Sequence, residues 1–145
     1  MTIKQLSVFV ENKEGKLVEI MQTLAKNGID IRALSLADTT DYGILRMIVH
    51  DPDKAVAVLK EASCVVSVNE VLGVAVSDTP GGFAAAVLAL ANEGINLEYV
   101  YAFITPQKGY AYVVMRVNDN NAATEILQKA GVKVIGDEEL HEMFR

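Results

Sequence analysis

Residues 12–31 read NKEGKLVEIMQTLAKNGIDI, and residues 78–97 read DTPGGFAAAVLALANEGINL. In each, a polar residue (Asn12, Asp78) stands three positions before a glycine (Gly15, Gly81), and an apolar residue (Leu17, Phe83) follows two positions later. A helical run then closes on Gly28-Ile29-Asp30-Ile31 or Gly94-Ile95-Asn96-Leu97. Identical spacing over twenty residues marks an internal duplication. Working outward at the same shift of 66 positions, Leu6, Val8 and Val10 fall on Leu72, Val74 and Val76, the alternation of a strand. Beyond the hairpins the shift becomes 68: Val49, Asp51, Ala55, Val58, Leu59 and Ala62 meet Val117, Asp119, Ala123, Ile126, Leu127 and Ala130.

Each half reads as strand, helix, strand, strand, helix, strand. The first helix carries Leu17, Ile20, Met21 and Leu24 at i, i+3, i+4 and i+7, and its copy carries Phe83, Ala86, Val87 and Leu90. Gly28 and Gly94 end these helices. Asp51 caps the second helix with Pro52 at its first position, and Asp119 is the cap in the other half. The hairpins are IDIRALSLA and YGILRMIV around a turn at DTTD, and INLEYVYAF and YAYVVMRV around ITPQKG. Right-handed crossovers put both helices on one face of each antiparallel sheet. The expected fold is therefore α+β, two tandem ferredoxin-like βαββαβ units over residues 1–69 and 70–145.

Alternation also assigns the sheet faces. Leu34, Leu36, Leu45, Met47 and Val49 face the helices in the first half, and Val100, Ala102, Val113, Met115 and Val117 in the second. The opposite face carries Ala33, Ser35, Ala37, Ile44 and Ile48 in one half, but Tyr99, Tyr101, Phe103, Tyr110 and Tyr112 in the other. Five aromatics on a helix-free face call for a cover, and a second copy of the chain is the expected one. The nearly all-apolar FAAAVLALANE helix supports a homodimer. Arg46 and Arg116 also lie on the helix-free face, where surface salt bridging is the expected role.

Composition narrows the function. The chain has 145 residues, 51% hydrophobic and 22% charged, with a net charge of −6. An acidic excess argues against nucleic acid and against anionic membranes as partners. No apolar run approaches the roughly 20 residues that span a bilayer. The start MTIKQLSVFVENKEG has no apolar signal core, and the single Cys64 has no disulfide partner in the chain. A cytoplasmic location is the expectation. Cys64, among Val65 and Val66, reads as a buried structural thiol. The histidines are His50, near a helix cap, and His141, in the acidic tail GDEELHEMFR, and the repeat places no counterpart beside either. No cluster has metal-ligand spacing, and DTPGGF lacks the Lys-Ser/Thr of a phosphate loop. Neither an enzyme nor a cofactor is expected.

The loops of the opening repeat carry the chemistry instead. A strand that turns through glycine into a helix leaves the first helical amides pointing into a gap, which attracts a carboxylate. Gly15 and Gly81 permit a close backbone approach, and Pro80 stiffens the second loop. Asp30 and Asn96, at the start of the next strand, are placed to meet a ligand ammonium group.

These residues resemble the ACT domain, a small-molecule-sensing module, as two tandem copies covering essentially the whole chain. The resemblance rests on Asn12, Gly15, Leu17 and Gly28-Ile29-Asp30-Ile31, and on Asp78, Pro80, Gly81, Phe83 and Gly94-Ile95-Asn96-Leu97. It implies an amino acid bound where two such units meet. Carried over, it nominates Asn12, Gly15, Lys16, Leu17 and Asp30 from the first copy, and Asp78, Pro80, Gly81, Gly82, Phe83 and Asn96 from the second. Glu14 stands where the family often has proline, and Asp78 stands where the first copy has Asn12. A carboxylate at position 78 repels a ligand carboxylate and suits an ammonium group. The expected function is allosteric and non-catalytic: binding of a free amino acid or related small metabolite by a homodimer. The alternative is a regulatory subunit or ligand-free assembly module acting through an enzyme or transcription partner.

Overall fold

The computed structural model describes residues 1–38, 41–104 and 108–144. The DTTD and ITPQKG turns therefore lie partly outside the described residues. In chain order the elements are β1 (Ile3–Glu11), α1 (Lys16–Lys26), β2 (Ile31–Asp38), β3 (Tyr42–Val49), α2 (Pro52–Glu61) and β4 (Val66–Ser77). There follow α3 (Gly82–Asn92), β5 (Leu97–Ala102), β6 (Tyr110–Val117), α4 (Asn120–Lys129), β7 (Lys133–Ile135) and α5 (Asp137–Met143). The chain forms two compact units, Lys4–Asn69 and Glu70–Arg145, the latter including Met1–Ile3.

In the first unit the strands run in the order β2-β3-β1-β4. Val8 stands opposite Leu45 and Leu6 opposite Met47 in the antiparallel β1–β3 ladder. In the second unit the order is β5-β6-β4-β7, and Leu72 faces Met115 as Val74 faces Val113. Both orders are second-third-first-fourth, the ferredoxin-like arrangement.

The alternating strand residues meet the helix stripes in one core per unit. Leu6, Val8, Val10, Leu45, Met47 and Val49 pack against Ile20, Leu24, Ala55 and Leu59. Leu72, Val74, Val76, Met115 and Val117 pack against Ala86, Leu90, Ala123 and Leu127. Each fully buried leucine contributes about 2 kcal/mol of transfer free energy. Leu34 and Leu36 pair with Met47 and Leu45 and so point to the helix side, yet both are exposed. The same holds for Val100 and Ala102. These positions lie on β2 and β5, the outermost strands of their units, beyond the cover of the helix pair.

Four helices end in one way. The Gly28 amide donates to the Ala25 carbonyl (3.1 Å) and the Ile29 amide to Leu24 (3.0 Å), a Schellman closure with Gly28 at φ 69°. Gly94 and Ile95 repeat it on Ala91 and Leu90, and Gly131 and Val132 on Gln128 and Leu127. At α2 the left-handed position is held by Ser63, at φ 65°, with Cys64 donating to Leu59 (2.9 Å).

The helix-free faces differ from expectation. The acidic tail forms α5, which sits on the aromatic face of the second unit. Phe144 approaches Phe103 with ring centroids 6.2 Å apart, and Lys133 Nζ lies 2.8 Å from Glu139 Oε2. Tyr112, Lys133 and Ile135 from the sheet and Glu139, Glu142 and Met143 from α5 line a pocket of about 310 Å³. Phe103 and Tyr112 are buried in the chain itself, so the expected cover of that face is in part its own C-terminal helix. Gly73 allows this side to close, because a Cβ there would lie 2.7 Å from the Ile135 side chain. Arg116 takes the salt-bridging role, with Nε 3.8 Å from Glu98 and Nη1 donating to the Glu70 carbonyl (3.3 Å). In the first unit Phe9 and Tyr42, which alternation had not singled out, form an exposed ring pair with centroids 5.6 Å apart.

Candidate functional site

The repeated loops have one backbone. Gly15 precedes α1 at φ 84°, ψ −12°, and Gly81 precedes α3 at φ 86°, ψ −6°. Only glycine adopts this conformation without strain. Lys16 N–H donates to the Lys13 carbonyl (3.3 Å) as Gly82 N–H donates to Thr79 (3.0 Å). Both loops are pinned to their hairpins, Asn12 N–H by the Asp41 carbonyl (3.0 Å) and Asp78 N–H by the Gly109 carbonyl (3.1 Å).

Neither glycine can supply a capping side chain, and neither helix has a side-chain cap. The other two helices of the repeat do: Asp51 accepts from Lys54 N–H (3.2 Å) and Asp119 from Ala122 N–H (3.0 Å). The starts of α1 and α3 thus keep the anion-binding character of a bare helix terminus, worth about 0.3–1 kcal/mol per charge at an exposed site.

Side chains set the loops apart. At the first, Lys13 pairs with Glu11 (3.1 Å) and Lys16 with Glu19 (3.8 Å). The Lys13 hydrogen bond and charge, with Lys16 behind them, hold the Glu11 carboxyl below the usual carboxylate range. Lys13 was not among the nominated residues. The second loop carries Asp78, and its Gly82 is obligatory because a side chain there would run into the Ser77 carbonyl oxygen. Leu17 packs against the first core, whereas its copy Phe83 stays exposed at the start of α3.

The structure groups Asn12, Gly15, Lys16 and Leu17 at one end of α1, and Asp78, Pro80, Gly81, Gly82 and Phe83 at the matching end of α3. Within each unit it does not bring Asp30 or Asn96 to them, because both follow the far end of an eleven-residue helix. Eleven residues span about 16 Å. The Asp30 carboxylate already accepts from Arg32 Nη1 at 2.7 Å, so its role as an ammonium contact has a competitor in its own chain. The Asp30 amide donates to His50 Nδ1 (3.0 Å), and the Asn96 amide to Asn118 Oδ1 (3.1 Å). His50 therefore has a repeat counterpart after all, Asn118 at the shift of 68. What the two copies share at this position is a hydrogen-bond acceptor rather than a residue type.

Cys64 is half-buried at the rim of the first core, and burial, with the Glu19 charge added, pushes its thiol up, the reverse of an activated nucleophile. Among the described residues no group of three His, Cys, Asp or Glu side chains is placed to hold a metal ion, and no helix is long and apolar enough to cross a membrane.

Comparison with known proteins matches this chain to solved structures along nearly its whole length. Protein BT0572 from Bacteroides thetaiotaomicron is 38% identical with a TM-score of 0.90, covering 97% of this chain and 96% of that one. The ligand-free regulatory subunit of aspartate kinase from Thermus thermophilus is 16% identical with a TM-score of 0.63, covering 88% and 91%, a likeness of fold. No curated protein matches the chain. The model of the ACT domain pair matches residues 1–144. A match of that extent, laid over two units of one strand order, decides the family: this chain is a member of the ACT domain pair family.

Proposed function

We propose that this chain is a non-catalytic regulatory protein that binds a free amino acid or related small metabolite, with the ligand carboxylate at the uncapped first turn of α1 or α3. One observation carries the reading: α2 and α4 begin at capping aspartates, while α1 and α3, at the repeated glycine bends, begin with no side-chain cap. Lys13 and Lys16 favour the carboxylate at the first loop, and Asp78 suits the ammonium group at the second. The ligand acts by favouring one arrangement of the protein over another through differential affinity. Action on a separate enzyme has a precedent of fold in the Thermus thermophilus regulatory subunit. Pairing with a second copy is supported by the outer face of α3, where Leu88 is 60% exposed at the position that Gln22 holds in α1.

The test is thermal denaturation against each of the twenty amino acids. A ligand at 100 times its Kd stabilises the native state by about 2.7 kcal/mol, which raises Tm. Gly15→Ala and Gly81→Ala should abolish the shift. Gly131→Ala is the matched control, since Gly131 has a similar φ of 78° in open space at the end of α4. No shift with any amino acid, or equal losses in all three variants, overturns the reading. Sedimentation of wild type and Leu88→Glu tests the second copy.

A further inference from the structure

We propose that His50 is a pH-sensitive latch on the start of β2, and that the second unit carries the same latch in a form that protons do not reach. The inference is independent of whether the loops bind a ligand. His50 is tied to Asp30 twice: its own amide donates to the Asp30 carbonyl (3.1 Å), and its Nδ1 accepts from the Asp30 amide (3.0 Å). The second bond needs a lone pair on Nδ1, hence a neutral ring with its hydrogen on Nε2. Protonation puts N–H against N–H, the Asp30 amide loses its acceptor, and one of the two ties that hold the start of β2 is lost. In the copy, the Asn96 amide donates to Asn118 Oδ1, an amide oxygen that takes up no proton in the range where imidazoles titrate.

Three carboxylates close to position 50 in the chain or across the latch have partners of their own. Just before β2, Asp30 accepts from Arg32; at the start of α2, Asp51 caps the Lys54 amide and Asp53 pairs with Lys4 of β1 (3.4 Å). The carboxylates on either side of the latch, Asp30 and Asp51, thus already hold the Arg32 guanidinium and the Lys54 amide while the ring is neutral.

The experiment uses the full-length ¹⁵N-labelled chain between about pH 8 and pH 5, the window in which histidine changes charge. Long-range ¹H–¹⁵N spectra should show His50 as the Nε2–H tautomer at high pH. Amide exchange should show Asp30 protection falling about fivefold relative to Asn96 as pH is lowered, the scale of one hydrogen bond. The ratio removes the intrinsic pH dependence of exchange. His50→Asn should give a ratio that no longer changes with pH, and Asn118→His should transfer the dependence to the Asn96 amide. An Nδ1–H tautomer at high pH, a constant wild-type ratio, or a dependence that survives His50→Asn overturns the proposal. Should His50→Asn fail to fold, the wild-type ratio and Asn118→His decide the matter alone.

Discussion

The loops opening α1 and α3 have the same glycine bend, the same turn and the same tie to a hairpin, with backbone angles that differ by a few degrees. Their chemistry diverges: lysines at positions 13 and 16 surround the first, while an aspartate and a glycine pair make up the second. Duplication preserved what the backbone requires and left the side chains free to specialise. The contrast recurs where the copies end. The fourth strand of the first unit runs on within the continuous β4, whereas β7 is short and turns into α5, which lies on the aromatic sheet face. Phe103 and Tyr112 are buried in the copy that has this helix, whereas Phe9 and Tyr42 of the other copy stay exposed.

Exchanging residues between the copies tests this contrast. Gly82→Lys, which gives the second loop the residue of the first, should have the largest effect, destabilising the second unit by about 3 kcal/mol in urea denaturation because its Cβ meets the Ser77 carbonyl. The reverse swap, Lys16→Gly, should cost less than about 1 kcal/mol. Equal costs would break the claim that only the second loop is sterically closed. Next in size is Leu140→Ala, which removes the buried anchor of α5 and should cost about 2–3 kcal/mol. Hydrogen exchange should place the loss around Phe103 and Tyr112 and leave the first core unchanged.

Ser63→Gly should stabilise by about 1 kcal/mol and Gly131→Ser destabilise by a similar amount, since both positions hold a left-handed backbone. Thermal melts of the pair give the answer, and a destabilising Ser63→Gly would show that the serine has acquired a role of its own. The smallest effect concerns the pair that joins Lys133 of β7 to Glu139 of α5. Its hydrogen bond and charge raise the Lys133 amine above its ordinary 10.5, so its contribution is complete below that pH and is lost as pH rises through the folded value. Circular dichroism from neutral pH upward should show α5 loosening only in that alkaline range, and the change should vanish in Glu139→Gln.

Much of this was legible in the residues. The 66- and 68-residue shifts gave both units and their order, and Asp51 and Asp119 are caps as their spacing implied. The hairpin strands Tyr42–Val49 and Tyr110–Val117 begin and end where the alternation does. The faces were harder. Alternation states which side of a strand a residue occupies, so it placed Leu34 and Leu36 on the helix side correctly, but it says nothing of how far the helices reach. Of the candidate site, the loop residues could be read directly. Asp30 and Asn96 were nominated as ammonium contacts for a ligand held where two units meet, and within each unit the length of α1 and α3 separates them from the loop of their own copy.

Sequence alone determined the local elements and their duplication, because glycine at positive φ, a capping aspartate and a period of two or of 3.6 are properties of neighbouring residues. Tertiary structure alone decided that the acidic tail would fold onto the aromatic face, that Gly82 must be bare because Ser77 approaches it, and that His50 and Asn118 do the same work. Each of these depends on which groups meet across the fold, and distance in space between residues far apart in the chain is not written in their order.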